Sequence, residues 1–180
     1  MDTLLKPFPH LEETVSPFDL AQIIEGEKIV TPSPFGRHQE IVFNLAFHVR
    51  RYTQEKNLGK VFISPLDVIF EENVNRLQPD IIFIKNENMG IYRDWIRGVP
   101  DMVVEVVSRG TLVMDTITKK NVYEKYKLPE CWIVMPEFES VEVFALKDNA
   151  YELFSFAEEK GVVQSQVIEG FTVDVRAIFT

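Results

Sequence analysis

Val103-Val104-Glu105-Val106-Val107 is the stretch that most restricts how this chain can fold. Its valines favour a strand, because β-branched side chains pack well on a pleated surface. A run that is apolar on both faces belongs in the middle of a sheet, covered above and below. Glu105 then occupies a place where a carboxylate is costly to bury unless a cation, a hydrogen-bond donor or a metal compensates it. The fold must bring such a group to the face that Glu105 shares with Asp101, Val103 and Val107.

The rest of the chain supplies the covering layers. Residues 60–71, 77–85 and 101–108 are rich in Val, Ile and Phe and read as three successive strands. Before them, His38, Val42, Leu45, Val49 and Tyr52 advance by four, three, four and three, which predicts a helix over 35–57. Ile41 and Ala46 widen its apolar face; Glu40 lies on the flank. A second helix is expected over 115–127, with Asp115 as N-cap and Pro129 beyond its end. Residues 131–135 read as a fourth strand. Strand pairs follow at 140–146 with 150–156, and 162–168 with 171–175. An irregular lead-in over 1–20 carries Pro7, Pro9 and Pro17, a hairpin covers 23–30, and Thr31-Pro32-Ser33-Pro34 stops it. The expected fold class is α/β, of the α+β mixed-sheet kind, in one domain over 1–180. Within it, 1–34 is lead-in and hairpin, 35–135 the core, and 136–180 the C-terminal strands.

Composition narrows the functional classes. At 46% apolar over 180 residues, the chain can build a sizeable core. The longest apolar stretches, such as Ile81–Ile84, are far short of the roughly 20 residues that span a bilayer. No basic-then-apolar signal opens the chain. The single cysteine, Cys131, excludes an internal disulfide and a multi-thiolate zinc site. These features point to a soluble cytoplasmic protein with no membrane partner. The net charge of −9 lacks the basic surplus of a domain that grips long nucleic acid by neutralising phosphates. What matters is where the carboxylates sit.

Three acidic residues stand in apolar strand contexts: Asp80 in Pro79-Asp80-Ile81-Ile82, Asp101 in Pro100-Asp101-Met102-Val103, and Glu105. Asp101 and Glu105 are about 13 Å apart along one strand, too far to share an ion directly. If the second and third strands form an antiparallel meander, Asp80 comes up beside Glu105. Two carboxylates from adjacent strands make a hard-oxygen site that Mg²⁺ accepts. Each has an ordinary alternative. Pro-Asp at a strand start is often a turn device, and Glu105 could be held by a buried Lys or Arg. Lys119 could pair with Asp115 at i, i+4. His38 reads as a packed core residue and Cys131 as a buried, inert thiol.

Taken together, these segments resemble the Uma-two family of restriction endonucleases, in the PD-(D/E)XK nuclease superfamily. The residues that carry the resemblance are Arg37-His38-Gln39-Glu40-Ile41, Leu58-Gly59-Lys60-Val61, Gln78-Pro79-Asp80-Ile81 and the run Val99 to Ser108. Asp115, Lys119, Tyr123 and Pro129-Glu130-Cys131-Trp132-Ile133-Val134 complete it. After Ser108 the chain departs from the common family pattern, with Arg109-Gly110 where Ser-Pro-Ser or similar is usual. The resemblance implies a restriction-endonuclease-like core of helix, three strands, helix and strand. It puts the motif Asp at Asp80 and the motif acid at Glu105. The Lys expected two residues later is replaced by Val107, and Lys119 matches a Lys moved to the next helix. Glu40 matches an assisting first-helix ligand, and Asp101 matches a family position as an accessory.

The activity so implied is hydrolysis of DNA phosphodiester bonds with Mg²⁺ or Mn²⁺. Asp80, Glu105 and Glu40 would hold the metal; Asp80, Glu105 and Lys119 would form the catalytic core. Two rivals stand beside it. One is a nuclease-fold binding or interaction module without catalysis. The other is a structural homodimer subunit paired through its apolar C-terminal strands.

Overall fold

A computed structural model describes residues 21–30, 35–108 and 110–180. The lead-in over 1–20, the stop at Thr31–Pro34 and the departure at Arg109 lie outside the described residues. Among the described residues, no helix is long and apolar enough to cross a membrane.

The expected hairpin is present as β1 (Ala21–Ile24) and β2 (Glu27–Val30), antiparallel around Glu25-Gly26, both of which adopt positive φ. The long helix α1 (Gly36–Glu55) follows, and it buries Ile41, Val42, Leu45 and Val49. It ends where Asn57 turns left-handed, at φ 51°.

Here the structure differs from the expected three strands in one sheet. Residues 60–71 break at Ser64-Pro65 into β3 (Gly59–Ile63) and β4 (Val68–Glu71), which belong to different sheets. Proline brings no N–H to a ladder, so continuous pairing stops there. Residues 77–85 split likewise before Pro79-Asp80. Leu77 ends β5 (Asn75–Leu77), and β6 (Ile81–Lys85) begins afterwards. A 3₁₀ turn (Asn86–Ile91) and β7 (Ile96–Arg97) lead to β8 (Met102–Val106), every residue of which is buried.

The chain then crosses over. Met114–Lys119 forms a π-helical turn and runs into α2 (Lys120–Lys125). Asp115 does not cap this helix: it is buried and turned inward. The remaining elements are β9 (Glu130–Met135), β10 (Ser140–Lys147), β11 (Ala150–Glu158), β12 (Val162–Gln164) and β13 (Thr172–Asp174). The last of the expected strands, 171–175, is present as β13, and a short helix, α3 (Arg176–Phe179), follows it.

A six-stranded sheet in the order β11-β10-β9-β8-β6-β3 organises the fold. Only its β8–β9 pair is parallel, as a helical crossover requires. One face is covered by α1, with Ile81, Phe83, Met102, Val104 and Val106 in that cluster. The opposite face meets α2, where Val103, Val107, Cys131 and Ile133 pack against Val122, Tyr123 and Leu128. Glu105 alternates with the first group and so faces α2. A five-stranded sheet, β2-β1-β5-β4-β7, closes over the same side.

Candidate active site

The β6–β8 ladder pairs Ile81 with Val104 and Ile82 with Val103, antiparallel. Continuing that register by one residue carries Asp80 toward Glu105, and its carboxylate meets the next residue of β8, Val106. Pairing register, set by the apolar residues that must face the two cores, brings these carboxylates together. Asp80 Oδ2 accepts the Val106 N–H at 2.7 Å, so the strand backbone itself holds the carboxylate in place. His38 at the start of α1 reaches the same oxygen with Nε2 at 3.2 Å.

Glu105 is compensated from the helical crossover. Lys119 Nζ donates to Glu105 Oε2 at 2.8 Å and lies 3.0 Å from Asp115 Oδ1. Tyr123 donates its hydroxyl to Glu105 Oε1. Asp115, Lys119 and Tyr123 recur every four residues and present one face to the sheet. The Tyr123 ring is supported by Phe70 of β4, with centroids 5.8 Å apart, so the five-stranded sheet helps to fix the site.

The electrostatics follow from burial. Desolvation pushes Glu105 up to about 8 against the pull of Lys119, and the Asp115 and Asp80 charges add to the rise. Burial opposes the charge on Lys119, but the Glu105 and Asp115 carboxylates outweigh it and hold the ammonium above its ordinary value. Burial also acts to lower His38, and the hydrogen bond and charge of Asp80 reverse that into a net rise. Tyr123 is raised well above the usual phenol range by burial and by Glu105. Two carboxylates thus share one buried ammonium, with the Asp80 charge acting on it from further off and His38 at the margin.

Two expected members stand elsewhere. Asp101 accepts the Lys85 N–H at 2.8 Å and the Asn88 side-chain amide at 2.6 Å. It is the turn device that Pro-Asp permits, anchoring the 3₁₀ turn. Glu40 is exposed on α1. Two residues along an α-helix turn about 200°, so the turn that aims His38 at Asp80 aims Glu40 away. His38, read from the sequence as core, takes the first-helix position at the site. Its only signal was its place on the apolar stripe of α1.

Other sequence candidates are accounted for by packing. Cys131 is buried and its thiol is raised by desolvation. The Tyr126 hydroxyl donates to Glu71 at 2.6 Å. At the surface, Lys125 pairs with Glu25 and Arg97 with Glu72. A buried carboxylate that sequence reasoning passed over, Glu130, proves structural. It accepts from Trp132 Nε1, Ser165 Oγ and the Gln166 and Val167 N–H groups, tying the 165–168 loop to β9.

Among the described residues, no three His, Cys, Asp or Glu side chains gather closely enough to hold a metal ion by themselves. Mg²⁺ does not demand three: one or two carboxylates suffice when water and phosphate complete its shell. Asp80 and Glu105 are hard-oxygen donors; each Glu105 oxygen has a second lone pair beyond its hydrogen bond, and the Val106 and His38 contacts of Asp80 both fall on Oδ2. The donor set therefore fits such an ion. An open cleft of about 1050 Å³ reaches the site at His38, Val107 and Ser108, and its outer wall includes Phe138 and Glu158.

Comparison with known proteins bears on the whole chain. No curated protein matches it. A crystal structure described as a putative nuclease belonging to DUF820, from Anabaena variabilis ATCC 29413, is similar in fold. Its TM-score is 0.73, at 18% identity over 88% of this chain and 89% of that one. The model of the Uma2 family, described as “Putative restriction endonuclease”, matches residues 9–176. With that span covered, the chain, nuclease-like in its mixed α and β fold, belongs to the Uma2 family.

Proposed function

We propose that the protein is a metal-dependent endonuclease that hydrolyses phosphodiester bonds of DNA, with Asp80, Glu105 and Lys119 at its centre. One observation carries the reading: the Asp80 carboxylate sits on the Val106 N–H, next to Glu105 in β8, with the Lys119 ammonium 2.8 Å from Glu105. Membership of a family described as restriction endonucleases supports the substrate class.

Asp80 and Glu105 would hold Mg²⁺ or Mn²⁺. When bound, such an ion supplies Lewis-acid activation of water and neutralises charge on the phosphoryl group. The protein's own groups do the rest. The Val106 N–H and His38 orient Asp80. Tyr123 orients Glu105. Lys119 stabilises the negative charge that develops at phosphorus, as a fixed cation in a water-poor site does most effectively. The cleft beside His38 gives the strand its approach.

The test is cleavage of plasmid and of single-stranded DNA with Mg²⁺ or Mn²⁺. Glu105→Gln and Lys119→Met are each expected to lower the rate at least about 100-fold, the scale of removing one preorganised charged group. Wild-type protein inert on every substrate, with metal and without, would sink the proposal. The specific observation favouring a second reading, a non-catalytic binding module, is that both Glu105 oxygens are already hydrogen-bonded.

A further inference from the structure

We infer that Lys119 is the site's resident counter-ion, that a divalent cation competes with its ammonium for Glu105, and that Asp115 is the positioning residue that keeps the ammonium when the cation arrives. The inference rests on the metal-dependent reading above and concerns this chain's own residues.

The geometry is that of a two-position carrier. Lys119 Nζ lies between Glu105 Oε2 at 2.8 Å and Asp115 Oδ1 at 3.0 Å, and both carboxylates are buried. A cation held by Asp80 and Glu105 would meet the ammonium across one shared carboxylate. Like charges that close, shielded from water, repel strongly. The flexible four-carbon stem of lysine lets the ammonium shift its weight onto Asp115 without any backbone movement. Asp115 lies one turn before Lys119 in the π-helical segment, a form met mostly as single turns at functional sites. The cation's side of the site is Asp80, linked through His38 to the open cleft; Lys119 comes from the helical crossover and does not line that cleft. Glu105 stays oriented during the exchange because Tyr123 holds its other oxygen.

Titration calorimetry with Mn²⁺ on the full chain, above pH 8, tests this. Lys119→Met keeps the stem and removes the charge; because Glu105 also loses the pull of Lys119, affinities are compared at the pH plateau of each protein, where the variant is expected to bind Mn²⁺ at least tenfold tighter than wild type. In an Asp115→Asn background the ammonium leans on Glu105 alone, so the same substitution should gain at least a further threefold. Unchanged or weaker binding in Lys119→Met overturns the competition. Strictly additive effects overturn the role of Asp115, because a charge acting at a distance gives no coupling. Wild-type protein that binds no Mn²⁺, or whose binding survives Glu105→Gln, overturns the metal reading itself and this inference with it. A measurement on unaltered protein guards against variants that fail to fold. With ¹⁵N-labelled lysine, the Lys119 ammonium resonance should move as Mg²⁺ is added; a resonance unmoved at saturation counts against the exchange.

Discussion

Lys119 Nζ and Glu105 Oε2 lie 2.8 Å apart inside the protein, although the residues stand fourteen positions apart on a helical crossover and a central strand. The contact resolves the problem posed by a carboxylate in a valine run. It also leaves the site short of positive charge, since Glu105 and Asp115 share that ammonium and the Asp80 charge acts on it too.

Glu105 is pushed up to about 8 from an ordinary 4.5, chiefly by burial. Between those values the folded protein holds a proton that the unfolded chain releases. Stability from this group is therefore full below about 4.5 and is lost as pH rises through about 8. Glu105→Gln has no such slope. Thermal melts in chelator at pH 5, 7 and 9 should show the variant drawing level with wild type at the low end and exceeding it by several degrees at the high end. The reverse trend would mean that Lys119 outweighs burial.

Cations should repair the same deficit. A ligand that binds only the folded state at 100 times its Kd adds about 2.7 kcal/mol, or about 5–10 °C for a chain of this size. Saturating Mn²⁺ at pH 8 is expected to raise the melting temperature by that order. Asp80→Asn should abolish the shift, and a shift that persists in that variant would place the ion elsewhere.

Glu130 should matter for stability and not for metal. Glu130→Ala strips an acceptor from four buried or half-buried donors. The cost is at least about 3 kcal/mol, or about 6–12 °C in melting temperature. Calorimetry below the melt should find Mn²⁺ affinity unchanged.

Asp101 is expected to behave as an anchor. Asp101→Ala leaves the Lys85 N–H and the Asn88 amide without their acceptor, at about 1–2 kcal/mol. DNA cleavage, measured below the melt, should be unaffected. A large loss of cleavage with little loss of stability would return Asp101 to the site.

Much of this protein is legible along the chain. The β-branched run places Glu105 on a central strand, the 3.6-residue stripe places α1, and an antiparallel meander predicts that Asp80 meets Glu105. Asp115, Lys119 and Tyr123 at intervals of four were a visible signal of a shared helical face. These are short-period patterns, and each depends only on neighbours within one element or across one turn. Other features depend on how elements meet. Only the tertiary structure decided that residues 60–71 divide between two sheets, because sheet membership belongs to pairs of strands. The same holds for His38 replacing Glu40 at Asp80: helix phase relative to a distant strand end is set by packing. Asp80, Asp101 and Glu130 carry the same carboxylate chemistry, yet one meets a strand N–H and a histidine, one an amide and a turn, and one four donors. A carboxylate's role is settled by the donors and charges that folding places within about 3 Å of it, and those partners come from distant parts of the chain.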